Sequence, residues 1–464
     1  MKLLRADEVL GRGPDFSFAA IGGRHYFIRS EGHRVQTDKV GKIIWESLPG
    51  RAEEVIRKSR SRLSAGGDSA AGEGRRVDSL FLEEYSYVLF KAGIIRSDSA
   101  RATIPASDKD HGAVSAIVIT HNGADFLSFC FGSLIGQSYR NLEIIAVDNL
   151  STDGTPRRIR EDFPNVRVHA LPRNLHFAAA VNIGIARAKG RYVFILNQDV
   201  EVEKECVARL VARAKSEPGA AAVVPMMKFR RLPGFINGLG NQIRRYGWGS
   251  DNFIGVVDVG QFANLGEVPS ACFGAALLDR AAVDEVGPLD ERYKAFYEDV
   301  DWSFRAWMKG WRIAPEPGAL VYHEFGASYQ TCEKLCFVVR NRLRLVLKLF
   351  RKRYLVDFIK SYFIEDAKGA LSLLLRKKWG MASAYAVAYG SLVGAIPEIF
   401  LTRLALKKRY RGGLMERDIL AKNPAFFSAL NEENVPVVDA DLVAGYYHRA
   451  LAEVAGDVQK ERRQ

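Results

Sequence analysis

A chain of 464 residues exceeds the size of one typical domain, so two or three domains are expected. The hydrophobic content of 48% is ordinary for a globular protein and allows sizeable cores. The formal net charge of +13 would suit a nucleic acid or an anionic membrane. None of the usual nucleic-acid-binding motifs is visible, so a nucleic-acid partner is not expected.

The N-terminal part of the chain is predicted to be a small accessory unit. The start MKLLRADEVL has neither the apolar core nor the cleavage site of a secretory signal, so a cytoplasmic location is expected. Residues 1–97 are predicted to form an α+β unit, with a strand at HYFIRS and helical segments around residues 41–48 and 80–92. Residues 98–111 have the composition of a linker.

Residues 112–332 show strands that alternate with helices. Short apolar runs rich in Val and Ile predict strands at residues 114–120, 142–148, 166–171 and 191–197. Continuous rather than alternating apolar runs are typical of a parallel sheet that is covered on both faces. In such sheets ligands bind beyond the carboxyl ends of the strands. The polar segments that follow the four runs, THNG, DNLSTDGT, PRN and NQD, therefore form a candidate binding edge.

Residues 333–464 are predicted to be a basic helical region. Between Arg340 and Arg411, seventeen Lys and Arg residues stand against four acidic residues. The uncharged run 379–397 approaches the ~20 residues that span a bilayer, but it is rich in Ala, Gly and Ser. Amphipathic helices that lie in the membrane interface, or pack on the preceding domain, are therefore favoured over a true span.

Three ordered segments carry a resemblance to a known family. They are VSAIVITHNGADFLSFCFGSLIGQSYRNLEIIAVDNLSTDGT, RNLHFAAAVNIGIARAKGRYVFILNQDVEVE and ACFGAALLDRAAVDEVGPLDERYKAFYEDVDWSFRAWMKGWRIAPEPGALVYHEFGAS. In this order they resemble the nucleotide-binding half, the metal-site segment and the acceptor half of family 2 glycosyltransferases, especially bacterial rhamnosyltransferase-like members. The resemblance implies the α/β GT-A fold, a Rossmann-like mixed sheet with helices on both faces.

The resemblance implies a divalent cation, Mg²⁺ or Mn²⁺, that neutralises the charge on a departing nucleotide diphosphate. Asp199 matches the family's metal-binding carboxylate, and Asn197 stands where relatives commonly carry a second acid. His323 in VYHEFGAS resembles a family histidine that completes the metal or pyrophosphate shell. The alternative for His323 is a buried histidine with a satisfied hydrogen bond.

Other positions of the family's donor site can be carried over in the same way. Asp148 would accept the N3–H of uracil or thymine, and Thr120 and Asn122 would line the same pocket. Asp153 and Arg173 would also face the donor, although turn formation and helix capping are an alternative. A further departure is His176-Phe177, where relatives usually have Gly-Phe. A histidine at this position would crowd or contact the donor.

The acid pair Glu298-Asp299 lies in AFYEDVDWSFR. An acceptor hydroxyl needs a general base as it attacks the anomeric carbon, and the resemblance assigns this role to Asp299 with Glu298 in support. A single in-line displacement inverts the anomeric centre, and its transition state should resemble an oxocarbenium ion. The alternative is a helix N-terminus that merely favours acids. Asp301 is expected to be structural, and Trp302, Trp307 and Trp311 either stack on a sugar or pack in the core.

The N-terminal unit weakly resembles the winged-helix-like peptide-recognition domain of the PQQ-synthesis D type. The resembling residues are HYFIRSEGHRVQTDKVGKIIWESLPG and EYSYVLFKAGII, and Asp38-Lys39 depart from the usual Leu-Asn. The resemblance implies a peptide or protein partner that is bound by strand addition.

The sequence thus predicts an inverting glycosyltransferase at the cytoplasmic face of a membrane. The donor would be a dTDP- or UDP-sugar, with rhamnose among the candidates, and the acceptor a hydroxyl of a lipid-linked glycan or polysaccharide. One alternative is transfer to polyprenyl phosphate. A second is a module that binds a nucleotide-sugar or peptide without turnover.

Overall fold

The computed structural model describes residues 112–230, 232–243, 249–254, 258, 262, 265–324, 331–350 and 352–409, and six short strands within residues 9–97. The six strands form two antiparallel three-stranded sheets, with orders β5-β1-β6 and β2-β3-β4. They are β1 (Val9–Arg12), β2 (Phe16–Ile21), β3 (Arg24–Arg29), β4 (Arg34–Thr37), β5 (Gly50–Arg51) and β6 (Ile95–Ser97). The helical segments predicted around residues 41–48 and 80–92 lie outside the described residues.

A nine-stranded mixed sheet forms the centre of the molecule, in the order β11-β17-β12-β16-β10-β7-β8-β9, and β13 also pairs with β12. A separate hairpin, β14-β15, lies beside it. The strands are β7 (Val114–Thr120), β8 (Leu142–Asp148), β9 (Arg167–Ala170), β10 (Tyr192–Asn197), β11 (Val200–Val202), β12 (Ala220–Phe229), β13 (Leu232–Gly238), β14 (Asn241–Ile243), β15 (Gly249–Asp251), β16 (Ala275–Asp279) and β17 (Arg312–His323). The four strands predicted from the apolar runs correspond to β7, β8, β9 and β10.

Helices cover both faces of this sheet. They are α1 (Leu127–Ile135), α2 (Thr155–Asp162), α3 (His176–Arg187), α4 (Cys206–Ser216), α5 (Arg280–Val286) and α6 (Glu298–Trp307). Three further helices follow in the chain, namely α7 (Cys332–Leu349), α8 (Lys352–Leu375) and α9 (Trp379–Arg409). A short 3₁₀ helix spans Glu291–Tyr293. The α/β class expected from the sequence is confirmed.

The residues of β7 show how helices cover both faces of the sheet. Ala116 and Val118 pack with α1 and α4 on one face, whereas Ile117 and Ile119 pack with α3 and α6 on the other. All seven residues of the strand are buried. Burial on both faces explains the unbroken apolar run, because successive side chains of a strand point to opposite faces.

The helices that follow residue 331 share a third core with the beginning of α6. Tyr297 and Val300 pack there with Leu343 and Val346 of α7 and with Leu392 of α9. Within the described part of the chain, one helix, Trp379–Lys408, is long and apolar enough to cross a membrane, and 22% of its most apolar window is buried in the protein.

A buried ionic network joins α6 to α7. Lys348 Nζ lies 2.6 Å from Asp301 Oδ1 and 2.7 Å from Asp290 Oδ2, and Arg305 Nε lies 2.9 Å from Asp301 Oδ2. Asp301 has no solvent exposure. Since removing one partner would leave an uncompensated buried charge, the network fixes the two helices against each other. Asp301 is thus structural, as the sequence predicted.

Candidate active site

The candidate site lies at one edge of the central sheet. β7, β8, β9 and β10 are parallel to one another, and β12 and β17 run in the same direction because β16 is antiparallel to both β10 and β12. The carboxyl ends of all these strands therefore meet at the same edge. Thr120, Asp148, Asn197 and His323 are the last residues of β7, β8, β10 and β17.

Asp148 is the centre of the loop network at this edge. It is buried, and Thr120 Oγ1 donates a hydrogen bond of 2.9 Å to its Oδ1. Ser151 donates twice, from its backbone N to Oδ2 at 3.0 Å and from its Oγ to Oδ1 at 2.5 Å. These bonds fix the orientation of a carboxylate that would otherwise be costly to bury.

The loops after β7 and β8 are joined through Asn122 and Asp153. Asn122 N donates to Ser151 Oγ at 2.8 Å, and Asn122 Oδ1 accepts from Thr152 N at 2.8 Å. Asp153 accepts from Ala124 N and from both the N and the Oγ1 of Thr155. Burial alone would raise the pKa of Asp153, but the bonds from Thr155 and Ala124 hold that pKa below its ordinary value. These contacts match the turn and capping alternative for Asp153.

Gln198 joins the first loop to the segment after β10. Its Oε1 accepts from His121 N at 2.9 Å, and its Nε2 donates to His121 O at 3.0 Å. A Cβ on Gly123 would lie 2.0 Å from Gln198 Oε1, so a larger residue at this position would displace the Gln198 side chain from these bonds. These two hydrogen bonds hold the segment that contains Asn197 and Asp199 at the same edge of the sheet as Asp148.

Asp199 and His323 form a candidate metal centre. His323 Nε2 lies 3.3 Å from Asp199 Oδ2, and Asn237 Oδ1 lies 2.6 Å from His323 Nδ1. The contact with Asn237 orients the ring, so that Nε2 is turned towards Asp199. Asp199 Oδ1 is buried and has no hydrogen-bond partner among the described residues.

The donor set at this centre fits a hard divalent cation bound with few protein ligands. The described residues contain no group of three or more His, Cys, Asp or Glu side chains arranged to hold a metal. One carboxylate and one imidazole would leave the remaining positions to water and to the oxygens of a diphosphate, as Mg²⁺ sites commonly do. The orphaned Asp199 Oδ1 is the atom that such a cation would satisfy.

Glu298 and Asp299 begin α6 in unlike surroundings. Asp299 Oδ2 accepts from Asn241 Nδ2 at 2.9 Å and from Phe273 N at 3.4 Å, and its Oδ1 accepts from Val300 N at 2.8 Å. Glu298 is buried, and its Oε2 has no partner among the described residues.

Because their surroundings differ, Glu298 and Asp299 differ in their affinity for a proton. Burial and the adjacent charge of Asp299 raise the pKa of Glu298 well above its ordinary value. Burial also raises the pKa of Asp299, but the hydrogen bonds from Val300, Phe273 and Asn241 oppose that rise. The pair therefore favours a protonated Glu298 beside an ionised Asp299.

Asp251, at the end of β15, stands between the candidate metal centre and the acid pair. Burial raises its pKa to about 6; His323 and Lys334 act to lower it, and Asp299 to raise it. A Cβ on Gly238 would approach Asp251 Cβ at 3.2 Å, which shows how closely the strands surround this carboxyl. Asp251 is thus a further titratable group of the site.

The remaining candidates take different positions. Arg173 is exposed. The His176 ring packs edge-on against Phe337 of α7 with ring centroids 5.6 Å apart, and burial and the charge of Lys294 lower its pKa. Trp302 is fully buried and its Nε1 donates to Gly287 O at 3.0 Å, so this tryptophan packs in the core. The Nε1 atoms of Trp307 and Trp311 donate to Pro269 O and to Glu285.

Sequence reasoning did not single out several residues that shape the site, namely Gln198, Asn237, Asn241 and Asp251. Asn237 and Asn241 lie in a short stretch, INGLGN, where buried amides interrupt apolar residues. Such amides need partners, and this was a usable signal. Asp251 carried no local signal, because its position depends on strand pairing with β14.

Comparison with known proteins relates parts of the chain to a family of transferases. Residues 115–287 match the sequence profile of Glycosyl transferase family 2. The chain is 28% identical over 232 residues to N-acetylglucosaminyl-diphospho-decaprenol L-rhamnosyltransferase of Mycobacterium tuberculosis, a match that covers 45% of this chain and 74% of that protein. It is 33% identical over 120 residues to the succinoglycan biosynthesis protein ExoO of Rhizobium meliloti, covering 26% of this chain and 34% of that protein.

Solved structures with a related architecture include GalNAc-T7 with UDP, GalNAc and Mn²⁺, at a TM-score of 0.44 and 20% identity over 54% of this chain and 50% of that one. A second is S. aureus TarS 1–349 in complex with UDP-GlcNAc, at a TM-score of 0.43 and 18% identity. That match covers 62% of this chain and 83% of the TarS chain.

The raised pKa of Asp251 gives a pH-dependent prediction. A carboxyl whose folded pKa of about 6 exceeds its unfolded value of 3.8 stabilises the fold at low pH and loses that contribution as pH rises through 6. We expect Asp251→Asn to gain stability relative to the wild type by about 1 kcal/mol between pH 5 and pH 7. Urea unfolding at both pH values measures this, with Asp162→Asn on the exposed surface of α2 as the control. A difference that does not change with pH would contradict the assignment.

Proposed function

We propose that the protein is an inverting glycosyltransferase. It would transfer a sugar from a dTDP- or UDP-sugar to a hydroxyl of a lipid-linked glycan or polysaccharide. The premise is that residues 115–287 match the profile of Glycosyl transferase family 2. The observation that carries the proposal is the shared sheet edge. A buried carboxylate with ordered hydrogen bonds (Asp148) ends one strand there, and an orphaned carboxylate oxygen lies beside an imidazole (Asp199 and His323). The differentiated acid pair Glu298 and Asp299 supports the same proposal.

The donor nucleotide would be held by the loops after β7 and β8. Asp148 is fixed by Thr120 and Ser151, so its orientation needs no rearrangement when a base arrives. A carboxylate in this place could accept the N3–H of uracil or thymine, which supports a dTDP- or UDP-sugar. Asn122 and Asp153 order the backbone of these loops, so part of their contribution would be made through that backbone.

Asp199 and His323 would hold a divalent cation, Mg²⁺ or Mn²⁺, which when bound would neutralise charge on the leaving diphosphate. Asn237 keeps the imidazole turned with Nε2 towards Asp199. Asn197, at the end of β10, lies beside Gly274 and two residues before Asp199. Its amide oxygen could contribute to the same metal site.

Asp299 would remove the proton of the acceptor hydroxyl. Asn241 and Phe273 N orient its Oδ2, and Glu298, protonated by burial, adds no second negative charge beside it. As the acceptor oxygen bonds to the anomeric carbon, the bond from that carbon to the diphosphate oxygen breaks, and the acceptor proton passes to Asp299. Attack opposite the leaving group inverts the anomeric centre.

Metal-dependent nucleotide binding is the first prediction of this proposal. At ligand concentrations about a hundredfold above Kd, UDP or dTDP with Mn²⁺ should stabilise the protein by about 2–3 kcal/mol, because a ligand that binds only the folded state shifts the unfolding equilibrium. Differential scanning calorimetry with UDP, dTDP and GDP, each with Mn²⁺, Mg²⁺ or EDTA, measures the effect. Asp199→Ala should abolish it, whereas Asp162→Ala on exposed α2 should not. No stabilisation by any nucleotide would refute the donor assignment.

The acid pair gives the second prediction. Asp299→Asn keeps the shape of the side chain and removes the base, so the transfer rate should fall by about 10²–10⁴ while nucleotide binding is unchanged. Glu298→Gln imitates the protonated acid, and it should cost far less. Release of nucleotide diphosphate from a donor-plus-acceptor mixture measures both. For the wild type, kcat/KM should rise with pH through the pKa of the base.

Transfer to polyprenyl phosphate is the alternative that this experiment separates. A phosphate acceptor is already an anion and needs no base, so activity that survives Asp299→Asn would favour it. The reading as a module without turnover is refuted by any donor-dependent release of nucleotide diphosphate. A peptide or protein partner at residues 1–97 stays a prediction.

We also infer that the enzyme binds the cytoplasmic face of an anionic membrane through α8 and α9. Most of the large apolar side chains that are exposed in the described residues lie on these helices, among them Phe363, Leu375, Val393 and Phe400. Cations flank them, and the exposed run 376–378 consists of Arg, Lys and Lys. The opposite side of α9 is bonded to the protein through Glu398 to Arg344 and through Arg403 to Leu347 O, which supports a helix that lies flat.

Vesicle flotation tests this inference. The protein should float with vesicles of phosphatidylcholine and phosphatidylglycerol but only weakly with phosphatidylcholine alone. Replacing Arg376, Lys377 and Lys378 by Gln should weaken binding about a hundredfold, at about 1 kcal/mol per cation near an anionic surface. The control replaces the exposed Arg157, Arg158 and Arg160 of α2 by Gln. Equal flotation of both variants would refute the surface, and protein that resists carbonate extraction would indicate a span.

A further inference from the structure

The loop that leads into the acid pair has an unusual backbone. Lys294, Phe296 and Tyr297 have φ values of 66°, 66° and 72°, although none of them is glycine. Lys294 has ψ −71°, and Ala295 N donates to Tyr293 O at 2.8 Å, which closes a tight γ-turn. Left-handed conformations at non-glycine residues persist only when the surroundings enforce them. The next residue after these is Glu298.

One side chain of α7 supplies most of that enforcement. Asn341 is fully buried, and its Nδ2 lies 2.8 Å from each of three carbonyl oxygens of the loop, those of Tyr293, Ala295 and Phe296. The two N–H groups of one amide are thus shared among three acceptors that have turned away from regular secondary structure. Asn341 holds the strained segment at both of its ends.

Neighbouring contacts complete the grip on this loop. Arg340 NH2 donates to Arg292 O and Tyr293 O at 3.1 Å each, and its Nε donates to Asn341 Oδ1 at 2.9 Å, which orients the amide. Ala178 N of α3 donates to Lys294 O at 2.9 Å. The carbonyls of five consecutive residues, 292–296, are therefore all held from outside the loop.

We propose that Asn341 is a positioning residue: it holds the loop 293–297 in the conformation that delivers Glu298 and Asp299 to the acceptor, an inference that rests on the proposed transferase function. An aspartate in its place would set a carboxylate against three carbonyl oxygens, and an alanine would leave these oxygens without their donor. In either case the loop relaxes towards ordinary backbone angles and the first turn of α6 moves.

The charged and titratable surroundings of the acid pair define what such a movement would change. Asp251 of β15, the Cys272 thiol before β16 and Asp301 of α6 all lie close enough to interact with the pair. A looser loop would admit water to the pair without removing any of these groups. The pair would then ionise more readily than in the wild type.

Kinetics of Asn341→Ala and Asn341→Asp test the proposal. The kcat of sugar transfer should fall on the order of tenfold to a hundredfold, since a displacement of about 1 Å can cost this much. The KM for the nucleotide-sugar should stay unchanged, and the acidic limb of the kcat/KM profile should move to lower pH. The ratio of donor hydrolysis to sugar transfer should rise, because water replaces a badly placed acceptor.

Asn182→Ala is the matched control. Asn182 of α3 bonds an earlier part of the same connection, since it donates to Leu289 O at 3.0 Å and to Glu291 Oε1 at 2.9 Å and accepts from Leu289 N at 2.9 Å. These contacts lie before the loop 293–297 and none of them holds its carbonyls. We expect a comparable loss of thermal stability with an unmoved pH profile. Asn341 variants that behave like this control would overturn the proposal and leave Asn341 with a structural role.

A milder variant covers the case in which the Asn341 variants do not fold. Arg340→Ala removes the bonds to Arg292 O and Tyr293 O from a partly exposed position and should shift the pH profile in the same direction by a smaller amount. An unshifted profile there would refute the proposal. An inactive wild type that binds no nucleotide would refute the transferase function instead, so the two failures are distinguishable.

Discussion

The shared direction of the strands on both sides of β16 is the constraint on which the rest of the molecule depends. β16 is antiparallel to both β10 and β12, and this pairing turns β12 and β17 to run with β7, β8 and β10. Without that reversal His323 would end at the opposite edge from Asp199, and the candidate metal centre could not form. The edge then collects Asp148, Asp199 and His323 from segments far apart in sequence, while hydrogen bonds of Gln198 and Asn237 lock them in orientation.

How much of this could be predicted from the sequence depended on the range of the interactions. The strands β7 and β8 follow from local apolar runs, and both were predicted with the bounds that the structure has. Asp148, Asp199 and Asp299 came from motifs, and their roles remain proposals. Gln198 was placed on the binding edge, and the amide of Asn237 gave a signal, but the partners of Gln198, Asn237 and Asn341 could not be predicted. These partners lie 77, 86 and 45 to 48 residues away. A polar residue inside a helix or strand signals that a partner exists, but the sequence does not say which one.

The C-terminal helices support the proposed acid pair in addition to forming an exposed surface. α7 holds α6 through Lys348 and Asp301, and holds the preceding loop through Asn341 and Arg340. On its other side α7 is bonded to α9 through Arg344 and Glu398. The helix that meets the acid pair is therefore one layer removed from the helices whose apolar side chains face outward. A single chain of contacts connects the exposed apolar surface, which we propose binds a membrane, to the proposed general base.

The position of Asn341 limits where the chain can be divided into modules that fold with their contacts intact. The sequence composition predicts a domain border near residue 332, between the alternating strands and helices and the basic helical region. Asn341 lies beyond this border, yet the backbone before Glu298 depends on it. Recombination at that border would transplant an intact sheet with an unsupported catalytic loop. Helix α7 and the sheet would therefore have to be exchanged together, so a unit that keeps this loop supported extends at least to the end of α7 at Leu349.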